Sequence, residues 1–501
     1  MRKLLAIILC VLMTLSLAVV GVSAADPEII TTAEQLASII KVDGNYKLGA
    51  DIAVASTFFF TDSQGNDTPF TGTLDGAGHT ITVSAPVFDY FAGTAKDIIF
   101  EGEISATDKD ACVASLASWG DGNAKITNVI NKANITTGFR GAGIVAQFEA
   151  GSDAVITDCV NYGTIKGIGP EGRDELWIGG IIGKQLSGKI HIENCVNYGT
   201  VTNDKGFAGG IIGDFGHDKA FDESYICEIL NCLNEGSISA TTNAGGIVGL
   251  TKGCLVKITN CTNKGAVTSS GNDAAGIIGH GGVKSILSRV FVTKCLNEGK
   301  ITCTGGTIDS NTGLPTKGTN SASGIAGYIY GSGDNGRIEI VDCVNKGEIV
   351  ATAFASQFMG YTNNVRTVIK NCVGDGKITG AVKCITGLSS ANPLEYNFEG
   401  IKLTANDSTD RLSFATSADN AGNIKSIADY TSQEGKADSI IANATYTLDA
   451  TIGYQAPAAP SDPGTSDPVT PVVTGDTAVI VMIVCAVSLL GMGIALKARR
   501  A

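Results

Sequence analysis

A ten-residue phrase returns seven times along this chain and limits what the chain can fold into. Aligned on its cysteine it reads ITDCVNYGTI (Cys159), IENCVNYGTV (Cys195), ILNCLNEGSI (Cys232), ITNCTNKGAV (Cys261), VTKCLNEGKI (Cys295), IVDCVNKGEI (Cys343) and IKNCVGDGKI (Cys372). An eroded earlier copy, ITNVINKANI, has Val129 in the cysteine slot and Ala133 in the glycine slot. Successive cysteines are 36, 37, 29, 34, 48 and 29 residues apart. A second phrase alternates with the first: GAGIVAQ, IGGIIGK, AGGIIGD, AGGIVGL, AAGIIGH and ASGIAGY, fading into ASQFMGY and KCITGL. Self-similarity at such a period is the mark of a stacked array.

No unit carries a helical period. The apolar residues come in bursts of two to four, broken by Gly, Asn and Asp, which is the pattern of short strands and tight turns. The shortest interval, 29 residues, holds three strands of about five residues and three turns. The expected fold is all-β, a parallel β-helix in which each strand pairs with its equivalents in the coils above and below. A leucine-rich horseshoe has units of about 20–29 residues, but here the leucine ladder is missing and one interval reaches 48.

In such a solenoid each repeated residue stacks on itself. Asn161, Asn197, Asn234, Asn263, Asn297 and Asn345 are expected to form an amide ladder at a turn. Glycines of the Gly265 type suit either a positive φ or a close backbone approach. Equivalent residues of neighbouring coils lie ~4.8 Å apart with parallel side chains, whereas a disulfide wants converging Cβ atoms ~3.5–4.5 Å apart. The column Cys159, Cys195, Cys232, Cys261, Cys295, Cys343 and Cys372 is therefore expected to be buried thiols acting as small hydrophobes. Cys112, Cys227, Cys254, Cys303 and Cys384 lie off this column, and the sequence leaves their pairing open.

Both ends read as processing or anchoring segments. Arg2 and Lys3, an apolar run and Val22-Ser23-Ala24 make a secretory signal peptide with cleavage after Ala24 or Ala25. Near the other end, Thr477 to Leu496 is uncharged for 20 residues, enough to cross a bilayer. Lys497, Arg499 and Arg500 follow, as on the cytoplasmic side of a membrane. Removing Arg2 and Lys3 takes the net charge from −13 to −15, and removing the residues after Thr474 (three cations and Asp476) takes it to −17. So acidic a chain argues against nucleic acid and anionic surfaces as partners.

Chemistry is harder to find. There is no C-x-x-C or H-E-x-x-H, and only four histidines, so zinc is unsupported. The Asp-rich stretches GDFGHDKAFDE and GSGDNG match no known calcium loop, so no cofactor is expected. Asp75 and His79 in TLDGAGHTI read as turn residues. Trp119 and Trp177 are the two tryptophans, both near loop edges, and are the candidates for ligand contact. The long polar connections Lys166–Trp177, Asp214–Glu228 and Thr302–Ala322 are where recognition is expected on a rigid rod.

The alternating A-G-G-I-x-G and C-x-N-x-G-x-I phrases resemble the GLUG-motif repeats of bacterial surface and secreted proteins, over about residues 126–388. The segment ITTAEQLASIIKVDGNYKLGADIAV followed by FTGTLDGAGHTITV looks like the start of bacterial pectate-lyase-like β-helices. That likeness implies a right-handed winding and a short capping helix at Ala33–Ile40. The C-terminal end resembles a Gram-positive sorting signal, L-P-x-T-G followed by an apolar span and a basic tail. Thr474 and Gly475 match; the Leu and Pro positions are Pro471 and Val472. By that resemblance a sortase would cut between Thr474 and Gly475 and join the chain to peptidoglycan; a plain membrane anchor is the alternative.

The expected order is signal peptide 1–25, N-terminal cap 26–69, β-helix 70–388, last rungs and C-terminal cap 389–454, proline-rich spacer 455–473, and sorting signal or transmembrane helix with basic tail 474–501. The expected function is surface display on a Gram-positive type bacterium, with variable loops binding host or neighbour glycans or proteins as an adhesin does. A polysaccharide-degrading lyase or hydrolase is the competing reading, and a structural stalk is a third. Carboxylates from adjacent rungs converging in a groove would favour the enzyme.

Overall fold

Each repeat supplies one coil, and the coil from Gly188 to Gly216 is representative. Its strands are Gly188–Glu193, Val196–Asn197, Val201–Asn203, Gly206–Gly209 and Ile212–Gly216. In the first of these, Ile190 and Ile192 point into the core while Lys189, His191 and Glu193 face outward, the period of two that a half-buried strand requires. Successive coils pair in parallel, and on the front sheet they do so in register: Lys189 to Glu193 lie beside Ile226 to Leu230, and those beside Leu255 to Thr259. The result is a parallel β-solenoid with a 31-stranded front sheet and a 19-stranded bent sheet among the described residues.

The computed structural model describes residues 26–388, apart from 174, 217–219, 283–287, 309, 311–314, 318–319, 331–335 and 364, together with 396–399, 401–403, 413–416, 425–426 and 452–455. All the described residues belong to one compact unit. The signal peptide, most of the spacer, and Thr474, Gly475 and the apolar run lie outside the described residues. Among those described, no helix is long and apolar enough to cross a membrane.

The tight turn before the cysteine is left-handed in every repeat. Asp158, Asn194, Asn231, Asn260, Lys294, Asp342 and Asn371 all have φ between 50° and 56°. Asn and Asp tolerate this region better than other non-glycine residues. The glycine four residues after the cysteine serves the other purpose: a Cβ on Gly265 would lie 1.9 Å from the Gly236 carbonyl oxygen.

The core is two facing aliphatic walls with the thiol column between turns. All seven column cysteines are fully buried and free. Each thiol donates to a backbone carbonyl two residues earlier, as Cys261 does to Thr259 (3.4 Å). Burial pushes the thiols of Cys159, Cys232, Cys295 and Cys372 well above the ordinary cysteine range. Off the column, Cys112, Cys227, Cys254 and Cys303 are likewise buried and unpaired, with burial raising Cys112 to about 11 and Cys303 to about 12.

Beside the thiols runs the amide ladder. Nδ2 of each asparagine donates to Oδ1 of the next, from Asn131 through Asn161, Asn197, Asn234, Asn263 and Asn297 to Asn345, at 2.7–2.8 Å. The second Nδ2 hydrogen goes to the carbonyl two residues on, as in Asn263 to Gly265 (2.9 Å). The second phrase makes room for this ladder. A Cβ on Gly246 would lie 2.4 Å from Cγ of Asn263, and Gly180, Gly210, Gly276 and Gly324 stand in the same relation to their asparagines. The two repeated phrases are thus two halves of one contact.

The N-terminal end is closed. Thr32 caps the helix Ala33–Ile39 by accepting from the Gln35 N–H (3.1 Å), and Leu36 plugs the core. Behind it Phe70, Phe88 and Phe91 replace the aliphatic ladder, with Phe70 and Phe88 stacked at 4.6 Å. A helix over an aromatic plug removes the bare strand edge that an open solenoid would present. At the other end Tyr396–Glu399 and Lys402–Leu403 add a further coil to the front sheet. Gly453–Gln455 run back across earlier coils. The N–H of Gly453 donates to Lys294 O (2.9 Å) and that of Tyr454 to Thr262 Oγ1 (2.8 Å). Gln455 exchanges two bonds with the Asn231 amide (2.7 and 2.9 Å). Three residues therefore strap three successive turns.

Candidate functional site: an axial groove on the front sheet

Because the coils are in register, outward residues of the front sheet form rows along the rod. The middle row is Lys125, Val155, His191, Glu228, Lys257 and Phe291, each beside the next. The flanking row is Asp153, Lys189, Ile226, Leu255 and Arg289. Two cavities lie along these rows. One of about 530 Å³ is lined by Lys125, Asp153, Lys189, His191, Ile226 and Glu228. The other, about 370 Å³, is lined by Leu255, Arg289, Phe291 and Glu223. Lys257 lines both, so the two lie side by side along the rows, across successive coils.

The wall of the second cavity comes from the connection between the bent and front sheets. Glu223 of that connection pairs with Arg289, whose guanidinium lies 4.9 Å over Phe221. In the first cavity His191 sits between two carboxylates. Its Nδ1 is 3.2 Å from Glu228 on the next coil and its Nε2 is 3.2 Å from Glu193 on its own. Lys257 completes the chain at 3.8 Å from Glu228. All these groups are only partly buried, so the arrangement presents alternating charge over strips of apolar floor (Val155, Ile226, Leu255). It can take a long polar ligand, and the imidazole between carboxylates can exchange a proton.

The residues singled out from the sequence fall elsewhere. Trp119 and Trp177 do come together, but over the bent sheet and not in the groove. Arg140 lies between them, its guanidinium 5.8 Å from the Trp119 ring and 5.4 Å from that of Trp177. Tyr90 stacks on Trp119 at 5.9 Å, and Lys184 covers Trp177 at 4.0 Å. Trp177 is buried in a satellite core with Phe139 and Phe207, so it packs and offers little face to a ligand. Asp75 and His79 do not form an acid–base pair: Asp75 binds Lys96 (2.8 Å) and the Ala77 N–H, while His79 faces Asp51 (3.1 Å). Asp214 opens no loop; it is a buried residue of the strand Ile212–Gly216. Among the described residues no group of three or more His, Cys, Asp or Glu is placed to hold a metal ion.

The groove residues have a sequence signal of their own. Val155, His191, Glu228, Lys257 and Phe291 each stand four positions before a column cysteine, an outward slot of the strand that varies freely from coil to coil.

This fold and groove define a parallel β-solenoid with a ladder-lined outer face. No family profile and no curated protein matches the sequence. Among solved structures the chain is similar to a putative immunoglobulin A1 protease from Bacteroides ovatus, at 21% identity and a TM-score of 0.36, over 52% of this chain and 85% of that one.

Proposed function

We propose that this chain is an exported, surface-anchored β-solenoid that binds an extended glycan or protein segment along the front-sheet groove, as an adhesin does. The observation that carries this reading is the adjacency of two cavities that share Lys257 and lie in line across successive coils. A line of cavities parallel to the rod axis suits a chain-like ligand, and its mixed charge and apolar strips suit hydroxyl-rich or peptide chemistry. In this reading residues 1–25 direct export. Residues 474–501 hold the protein at the surface of a Gram-positive type cell, through sortase transfer of Thr474 to peptidoglycan or as a membrane helix. The proline-rich segment after Gln455 is the spacer, and the winding is right-handed, as parallel crossovers are in ~98% of cases. Kinship with GLUG-repeat surface proteins belongs to the same proposal.

A second reading has its own observation. His191 between Glu193 and Glu228 brings carboxylates of adjacent coils together in the groove, as a glycan-cleaving enzyme working by general acid–base chemistry would need. One experiment separates the two. The purified protein is applied to glycan and host-protein arrays, and incubated with any polysaccharide it retains. Retention without shortened products, lost on Lys257→Ala, is the expected result. Products that vanish with His191→Ala would replace display by catalysis, and no retention on any array would overturn both.

A further inference from the structure

Lys184 and Asp214 stand directly opposite each other on neighbouring strands of the bent sheet. The Lys184 amine is 2.5 Å from Asp214 Oδ2, and the two side chains are 4% and 0% exposed. The amine lies 4.0 Å over the Trp177 ring, and Arg140 and Lys252 are the nearby charges. We propose that Lys184 and Asp214 become joined by an intramolecular amide bond, a covalent staple between two coils.

The surroundings favour the free amine of Lys184. Taking an ion pair out of water is costly unless the remaining hydrogen bonds are satisfied. Here Oδ1 of Asp214 is buried without a partner. Burial drives the Lys184 ammonium below the ordinary lysine range, against the pull of Asp214, and Lys252 and Arg140 act in the same direction as burial. Moving one proton from the Lys184 ammonium to the Asp214 carboxylate as the bond forms supplies the amine and the acid that condense.

The step then balances without any co-reactant. The Nζ lone pair attacks Cγ of Asp214, the N–C bond forms and one C–O bond breaks. The oxygen leaves as water with the carboxyl proton and one amine proton. Two neighbouring orphans match the product. The indole N–H of Trp177 and Oε1 of Gln147 are both buried without partners, and Gln147 is the in-register neighbour of Lys184 on the preceding coil. An amide presents one carbonyl to accept and one N–H to donate, which is the complement of that pair. The staple also has a role to fill, because every cysteine described is a free thiol and none ties coil to coil.

The test is a proteolytic digest of the full-length protein, folded as judged by β-type circular dichroism and a cooperative melt, read by tandem mass spectrometry. The expected result is that the Lys184 peptide is recovered joined to the Asp214 peptide, lighter than their sum by one water, about 18 Da. The joined species should disappear in Lys184→Ala and in Asp214→Ala. Recovery of the two wild-type peptides separate and unmodified from folded protein would overturn the proposal and leave a buried ion pair. So would persistence of the joined species in Lys184→Ala.

Discussion

Gln357 supplies the amide that Gly374 lacks. In the last repeat glycine stands in the ladder slot, beside Asn345. Gln357 stands where the other coils have the glycine that backs the ladder, since its neighbours Ser356 and Met359 pair with Ser323 and Ala326, which flank Gly324. Its Oε1 accepts from Asn345 Nδ2 (2.7 Å) and its Nε2 donates to the Gly376 carbonyl (2.6 Å). The two slots have exchanged residues and the ladder continues. At the other end Ser115, in the same glycine slot, donates to Oδ1 of Asn131 and closes it.

This exchange predicts non-additive stabilities. Gln357→Gly leaves a buried donor and a buried acceptor unpaired and should cost about 1–3 kcal/mol. Gly374→Asn alone should also destabilise, because two amides then compete for one space. The double variant restores the arrangement of the other coils and should recover most of the loss. Urea melts of the four proteins, treated as a double-mutant cycle, measure the coupling. Simple additivity would refute the exchange.

The thiol column predicts both reactivity and pH response. Ellman-type titration should find the column cysteines silent in the native protein and reactive in guanidinium. A thiol whose folded pKa is raised stays protonated when the unfolded chain, with thiols near pH 8.5, has begun to ionise. Its contribution is therefore complete below about pH 8.5 and lost as the pH rises further. Melting temperature should fall on the alkaline side, and less steeply in Cys232→Ala. Cys261→Ser should cost about 1–3 kcal/mol by burying a hydroxyl in an apolar column. Cys261→Val should be milder, since Val129 already occupies that slot one coil before Cys159.

At the acidic end Asp75 gives the opposite sign. Burial pushes its carboxyl up, but the Lys96 ammonium and the Ala77 N–H outweigh this and hold it below the usual carboxylate range. Its contribution is present above about pH 4 and lost as the pH falls through the lower folded value. Acid unfolding followed by circular dichroism should shift to higher pH in Lys96→Met, which removes the partner.

The strap is separable from the rod. Thr262 is the polar exception in a column otherwise made of Val160, Val196, Leu233, Leu296, Val344 and Val373, and it is the residue that holds Tyr454. Thr262→Val should speed deuterium uptake at Gly453–Gln455 while leaving the solenoid melt unchanged. Unchanged protection there would mean that the strap is held by something else.

In the groove, Lys257→Ala and Phe291→Ala should weaken retention of whatever ligand the arrays identify by on the order of tenfold each, about 1.4 kcal/mol. Both positions face outward, so melting temperature should not move. Loss of fold in either would remove the groove from consideration as a surface built for binding.

The periodic part of this protein is written in the repeat itself. A residue repeated once per coil has its own copies as neighbours, so the Cys261 column and the Asn263 ladder follow from counting. The left-handed turn was legible too, in the Asn or Asp that precedes six of the seven cysteines, though the glycine after them draws the eye first. Contacts between unlike residues depend instead on how the coils stack. His191 meets Glu228, Trp119 meets Trp177 across Arg140, Lys184 meets Asp214, and Gly453 lies on a turn more than 150 residues earlier in the chain. The reason is register: coils of 29 to 48 residues absorb their differences in loops, so which unlike side chains become neighbours depends on where each loop places its surplus. Gln357 and Gly374 mark the boundary between the two kinds of information. In the sequence each is a lapse in its own repeat, and only in the stacked coil does one lapse complete the other.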